Sequence, residues 1–117
     1  MRCSGRLEWC IRPGLSDSQL INAILEMIAR KTTDIFAAQI KALLERPDAT
    51  DVLPQIRCPT LVLCGREDSW SALAGHEKMA SLIPDSRLVI IEHCGHMSTM
   101  ERPAEVSTAM RDWFTSL

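Results

Sequence analysis

The chain has 117 residues, the length of one modest domain, and its 46% hydrophobic content is ordinary for a globular protein. Its 13 basic and 15 acidic residues are spread along the sequence and leave a formal net charge of -2, so we expect no nucleic-acid partner and no anionic membrane surface. The apolar runs are far shorter than the roughly 20 residues of a membrane helix. Charged residues near the start argue against a secretory signal, so a cytoplasmic location is expected.

The odd cysteine count predicts reduced thiols rather than a disulfide scaffold. The five residues are Cys3, Cys10, Cys58, Cys64 and Cys94. Cys58 and Cys64 flank one predicted strand, roughly 20 Å apart at about 3.3 Å per residue, and so cannot bridge each other. We expect them to act as small buried hydrophobic side chains.

The N-terminal part predicts an irregular segment followed by helices. Residues 1–15 show no sustained period. Ser16 and Gln19 then have the spacing of a capping box and start a helix over about 17–31. The apolar face of this helix contains Leu20, Ile21, Ile24, Leu25 and Ile28.

A second helix is predicted from about Thr33 and must end before Pro47. Its apolar stripe contains Phe36, Ile40, Leu43 and Leu44. A connector over 47–59 follows, with one helical turn near Val52 and Leu53. Residues 16–55 therefore form a small helical section.

The remaining residues predict the order β, α, β, α. Apolar runs over 60–64 and 87–92 indicate strands, and the helix between them, over about 71–83, ends at Pro84. The last helix starts at Pro103. Its apolar face contains Val106, Ala109, Met110, Trp113, Phe114 and Leu117.

An acid and a histidine follow the two strands. Because a crossover helix joins the strands, we expect a parallel pair whose carboxyl ends lie on one edge, where open α/β folds bind ligands. Asp68 follows the first strand in Gly65-Arg-Glu-Asp68, and His96 follows the second in His93-Cys-Gly-His96. A glycine in each loop allows a sharp exit from the strand.

Adjacent strands lie about 4.8 Å apart, so Asp68 can orient one ring nitrogen of His96 while the other acts as a base. Two alternatives stay open: Asp68 caps the segment near Ser71, and His96 bonds only to backbone. His93 competes as the base, but the glycine directly before His96 favours His96. His76 is expected on a solvated helix face.

The stretches 56–68 and 83–96, with Met100-Glu-Arg-Pro103, closely resemble the last two strands and final helix of the α/β-hydrolase family. In that family the acid follows Gly-x-x after a strand and the histidine follows a glycine after the last strand, which implies catalytic roles for Asp68 and His96. The resemblance implies an α/β fold: a helical cap remnant over 16–55, then the C-terminal part of the core over 56–117 with two parallel strands.

The family's nucleophile, usually the serine of Gly-x-Ser-x-Gly, precedes the cap, and no such motif occurs in these 117 residues. The family's oxyanion-hole loop is not recognisable either. The resemblance therefore implies a serine-type hydrolase of esters, lactones or carbon-carbon bonds that lacks its nucleophile and is inactive alone. The alternative is a non-catalytic interaction module or a decayed hydrolase remnant.

Further expectations concern the pocket and partners. Trp70 and Met97 are candidates to contact an ester-like substrate, although both also fit packing roles. Cys64, His93, Cys94 and His96 lack the paired Cys-x-x-Cys spacing of structural zinc sites, so neither a metal nor a cofactor is expected. Two strands do not make a stable sheet, so we expect self-association through an exposed sheet edge or a chain of marginal stability.

Overall fold

A computed structural model describes residues 17–117. The predicted irregular segment over 1–15 lies outside the described residues, as do Ser16, Cys3 and Cys10.

Helix α1 spans Ser18–Ala29, shorter at both ends than predicted. Its N-cap is Asp17 and not Ser16, because the Asp17 carboxylate accepts hydrogen bonds from the N–H groups of Gln19 and Leu20. The predicted apolar face is only partly buried: Ile24 is 0% exposed, whereas Ile28 is 49% exposed.

Helix α2 spans Thr33–Leu44, with Thr32 as its N-cap, and ends before Pro47 as predicted. Its apolar stripe is not buried among the described residues; Phe36 is 60% and Leu44 80% exposed. The predicted turn near Val52 is a 3₁₀ turn over Leu53–Gln55.

The sheet of the described region has two strands joined by a helix, as predicted. Strand β1 spans Thr60–Gly65, α3 spans Leu73–Leu82, and β2 spans Ser86–Ile91. The strands pair in parallel, with Thr60 opposite Ser86 and Gly65 opposite Ile91. Because α3 packs against both strands, it fixes their relative position.

The C-terminal end contains two helices where one was predicted. The short α4 spans Ser98–Glu101, and α5 spans Pro103–Thr115 with its proline in the first turn, where the missing N–H costs nothing. A buried cluster of Ile91, Cys94 and Val106 joins β2, the loop after it and α5. Val106 and Ala109 are buried, but Phe114 at the far end of the predicted face is 61% exposed.

Two expectations from composition can be compared with the fold. Cys64 and Cys94 are buried free thiols, whereas Cys58 is exposed; its predicted burial is wrong because it lies in the connector before β1. In residues 17–117, every helix is too short or too polar to cross a bilayer.

Candidate active site

The carboxylate of Asp68 contacts the imidazole of His96. Asp68 Oδ2 and His96 Nδ1 are 2.9 Å apart. The Asp68 side chain is 5% exposed and the His96 side chain 34% exposed, so the acid is enclosed while the histidine reaches the surface. The predicted pair therefore lies together at the carboxyl edge of the sheet.

The second oxygen of Asp68 organises its own loop. Asp68 Oδ1 accepts hydrogen bonds from the backbone N–H groups of Trp70 (2.9 Å) and Ser71 (2.8 Å). The capping alternative and the His96 contact are therefore not exclusive, because each uses a different oxygen. Both contacts restrict rotation of the carboxylate and aim Oδ2 at the ring.

The environment of Asp68 favours its ionised form. Burial alone raises the pKa of a carboxyl group, but hydrogen bonds from the Ser71 N–H, His96 and the Trp70 N–H outweigh it, and the pKa of Asp68 lies below its ordinary value. Asp68 is therefore a carboxylate at neutral pH, as an acid that orients a histidine must be.

Gly65 lets the two loops approach each other. A Cβ on this residue would clash with the backbone carbonyl oxygens of Cys94 and Gly95. The explanation from sequence, that each glycine permits a sharp exit, is wrong: no glycine among residues 17–117 has a positive φ, and the left-handed residue after β2 is His93, with φ 52°. Gly65 is required for close approach instead.

Five hydrogen bonds join the Asp68 loop to the His96 loop besides the central pair, one of them from the N–H of Cys94 to Glu67 Oε2 at 2.9 Å. The N–H of Arg66 donates to the carbonyl of Ile91, and that of Glu67 to the carbonyl of Cys94, both at 2.9 Å. The Arg66 guanidinium binds the Glu92 carboxylate in a bidentate pair at 2.6 Å. The loops are thus one cross-linked unit.

Charged side chains hold the His96 loop itself. Glu101, the last residue of α4, accepts hydrogen bonds from the N–H groups of Gly95 (2.8 Å) and Met97 (3.0 Å). The Arg102 Nε donates to the carbonyl of His93 at 2.8 Å. Sequence reasoning missed these roles; the only available signal was a Glu-Arg pair directly before the helix-starting Pro103.

Trp70 and Met97 both line a cavity beside His96. The Trp70 ring lies 5.0 Å from the His96 ring, centroid to centroid, with an angle of 30° between their planes. The cavity measures about 600 Å³ and extends to α1 and α2. Its apolar lining residues are Met27, Ile28, Phe36, Trp70 and Met97.

The other histidines have different surroundings. His93 is exposed, and its carbonyl is the acceptor for Arg102. His76 lies half-buried on α3, with Nδ1 3.4 Å from the Ala72 carbonyl oxygen, and not on a fully solvated face.

Throughout residues 17–117, no three His, Cys, Asp or Glu side chains are grouped so that they could hold a metal ion.

An imidazole whose Nδ1 faces a buried carboxylate has the arrangement of a general base. The carboxylate holds the proton on Nδ1, so Nε2 carries the lone pair that accepts a proton, and the negative charge stabilises the imidazolium that forms. Of the three histidines, only His96 has this geometry in the described residues.

Known proteins resemble this chain in sequence and fold. A thermophilic esterase from Thermogutta terrifontis, solved with malate bound, is 37% identical with a TM-score of 0.89, covering 93% of this chain and 40% of the esterase. A serine hydrolase involved in carbazole degradation is 27% identical with a TM-score of 0.61, covering 67% of this chain and 30% of that enzyme.

Among curated proteins, monoacylglycerol lipase abhd6-A of Xenopus laevis is 35% identical over 63 residues, 54% of this chain and 19% of the lipase. This chain therefore spans less than half the length of the relatives it matches. The family model described as the alpha/beta hydrolase fold matches residues 7–103, most of the chain. With the parallel strands and their helices, this match shows that the chain belongs to the α/β-hydrolase family.

Proposed function

We propose that this chain supplies the acid and the base of a serine-type α/β-hydrolase that cleaves an ester, lactone or carbon-carbon bond by acyl transfer. The observation that carries the proposal is the 2.9 Å contact between Asp68 Oδ2 and His96 Nδ1. Relatives named as an esterase and a monoacylglycerol lipase support hydrolysis of esters. The nucleophile, expected in Gly-x-Ser-x-Gly, is supplied from outside these 117 residues.

In the proposed reaction His96 acts twice. Its Nε2 takes the proton of the attacking hydroxyl as the carbon-oxygen bond to the substrate carbonyl forms, and later gives that proton to the leaving group. Asp68 stays ionised and stabilises the imidazolium between these steps. Its lowered pKa supports this role, because the carboxylate does not take up the proton itself.

The cavity of about 600 Å³ beside His96 is the proposed substrate site. Its lining by Met27, Phe36 and Met97 favours an apolar acyl or alcohol group, which these side chains shield from water. Trp70 covers the face of the His96 ring and contacts the substrate next to the reacting carbonyl. No cofactor enters the proposed reaction, and the proposed location is the cytoplasm.

The second candidate function is a non-catalytic interaction module or a decayed hydrolase remnant. The exposed apolar stripe of α2, with Phe36 60% and Leu44 80% exposed, favours it, because such surface is commonly covered by a partner. In this case the chain self-associates through the stripe or through an outer edge of its two-stranded sheet.

A chimera separates the two candidates. Residues 17–117 replace the matching segment of the Thermogutta terrifontis esterase, and the rest of the esterase is expected to contribute the nucleophile. We expect the chimera to hydrolyse an activated ester such as p-nitrophenyl butyrate, and we expect His96→Ala to abolish this activity. His93→Ala is the matched control and should retain it, because His93 is exposed and lies outside the acid contact.

Circular dichroism of each variant shows whether it folds. A folded chimera without activity would overturn the catalytic proposal and favour the remnant. The unmodified chain, assayed alone, should give the same background rate before and after His96→Ala; a rate that this substitution abolishes would contradict an external nucleophile.

A further inference from the structure

The carboxylates of Glu67 and Glu101 accept hydrogen bonds from three backbone N–H groups of the loop that carries His96. Glu67 Oε2 accepts from the N–H of Cys94 at 2.9 Å. Glu101 accepts from Gly95 through Oε2 at 2.8 Å and from Met97 through Oε1 at 3.0 Å. Hydrogen bonds to a charged acceptor are stronger than those between neutral groups, so these contacts restrain the loop more than ordinary turn contacts do.

The two bonds of Glu101 lie on either side of His96. The Gly95 N–H belongs to the peptide bond between Cys94 and Gly95. The Met97 N–H belongs to the peptide bond between His96 and Met97. Fixing both constrains the backbone dihedral angles of residue 96, and these angles decide where its Cα–Cβ bond points. The Nδ1 atom must then come within hydrogen-bond distance of Asp68 Oδ2.

Glu101 is itself held in place. It is the last residue of α4, and its own N–H donates to the carbonyl of Met97 at 2.8 Å. The backbone and the side chain of Glu101 are therefore both hydrogen-bonded to Met97. The next residue, Arg102, fixes the start of the loop through the carbonyl of His93. The carboxylate therefore acts from a fixed position and not from a mobile surface chain.

We propose that Glu101 is the positioning residue for His96: its two oxygens fix the backbone around residue 96 and thereby hold Nδ1 against Asp68. It touches no reacting atom in this scheme. The proposal rests on the proposed function only in treating His96 as the base.

The chemistry requires a glutamate. A carboxylate presents two acceptors, whereas the amide of glutamine presents one acceptor and a donor that would face a backbone N–H. Glu101→Gln therefore loses one of the two bonds with almost no change in shape. Glu101→Asp keeps the charge but is one methylene shorter and cannot reach both N–H groups from the same backbone position.

The proposal is tested by measuring which tautomer His96 adopts in the full chain. The ¹⁵N chemical shifts of labelled histidine, recorded at pH 9, distinguish a proton on Nδ1 from one on Nε2, and His76→Gln and His93→Gln assign the signals. We expect the wild-type imidazole to carry its proton on Nδ1. In Glu101→Gln the ratio of the Nδ1–H to the Nε2–H form should fall about tenfold, the equivalent of one charge-assisted hydrogen bond.

Glu105→Gln is the matched control, since Glu105 is exposed on α5 and no hydrogen bond in the described residues joins it to the His96 loop; it should leave the tautomer unchanged. A Glu101→Gln protein with the wild-type tautomer would overturn the positioning role. If Glu101→Gln does not fold, Glu101→Asp is measured instead, and a wild-type tautomer there overturns the proposal equally. A proton on Nε2 in the wild type itself would contradict the Asp68–His96 pair, and with it the proposed function.

Discussion

Asp68 and His96 meet at 2.9 Å although they are 28 positions apart in the sequence. The parallel register explains the meeting, because Gly65 and Ile91 lie opposite each other at the ends of the two strands. The acid follows Gly65 after a short turn, while the His96 loop is longer and folds back over that turn. The contact therefore depends on how closely the two loops approach.

Gly65→Ala should separate these loops. The added Cβ clashes with two backbone carbonyl oxygens, those of Cys94 and Gly95, and backbone yields less readily than a side chain. We expect the free energy of unfolding to fall by about 1 to 3 kcal/mol, as for other overpacked sites. Urea denaturation followed by circular dichroism measures it.

Gly75→Ala is the control for this substitution. A Cβ at Gly75 would meet no atom within 4 Å, and the residue lies inside α3. Alanine should therefore stabilise the chain by about 0.5 to 1 kcal/mol through helix propensity. Equal effects of the two substitutions would show that the close approach at Gly65 is unimportant.

The stability of the chain should depend on pH through Asp68. Its pKa in the folded state is lowered from the usual 3.8, so its stabilising contribution is complete above that value and is lost as the pH falls through the folded-state pKa. Asp68→Asn should destabilise the chain by on the order of 1 to 3 kcal/mol at neutral pH, and the difference should shrink below about pH 4.

Free energies of unfolding at several pH values measure this difference. Asp112→Asn, on the exposed side of α5, is the matched control and should follow the wild-type profile. A difference between Asp68→Asn and the wild type that persists unchanged at pH 2.5 would show that the carboxylate charge contributes nothing.

The cysteines of the described region should differ in reactivity. Burial, followed by the nearby Glu101 charge, raises the pKa of Cys94 to about 12, so at pH 8 the reactive thiolate form of Cys94 is scarce. Exposed Cys58 should react with iodoacetamide much faster, as peptide mass spectrometry can show. Comparable rates at both residues in the folded chain, without urea, would contradict the burial of Cys94.

Local sequence patterns predicted most of this architecture. Prolines and apolar periods predicted α1, α2 and α5, and the crossover helix predicted the parallel strands, because these signals act over neighbouring residues. The parallel pair predicted that Asp68 and His96 lie at one edge of the sheet, and the resemblance to the α/β-hydrolase family favoured their contact over the capping and backbone-bonded alternatives.

Contacts that depend on the irregular path of the loops could not be predicted from such patterns. The bonds from Glu101 to Gly95 and Met97 depend on α4, a helix of four residues that has no apolar period of its own. The close approach at Gly65 depends on carbonyl groups of the other loop. The exposure of α2 could not be predicted either, since periodicity indicates which face is apolar but not what covers it.

The role of Asp68 as the acid partner of His96 is tested most directly by the Asp68→Asn variant of the esterase chimera. An asparagine keeps the shape of the side chain but favours the wrong tautomer of His96, so kcat should fall by about 10⁴-fold with little change in KM. A kcat within about threefold of the parent chimera would contradict the catalytic pair, because loss of an orienting carboxylate is expected to cost far more.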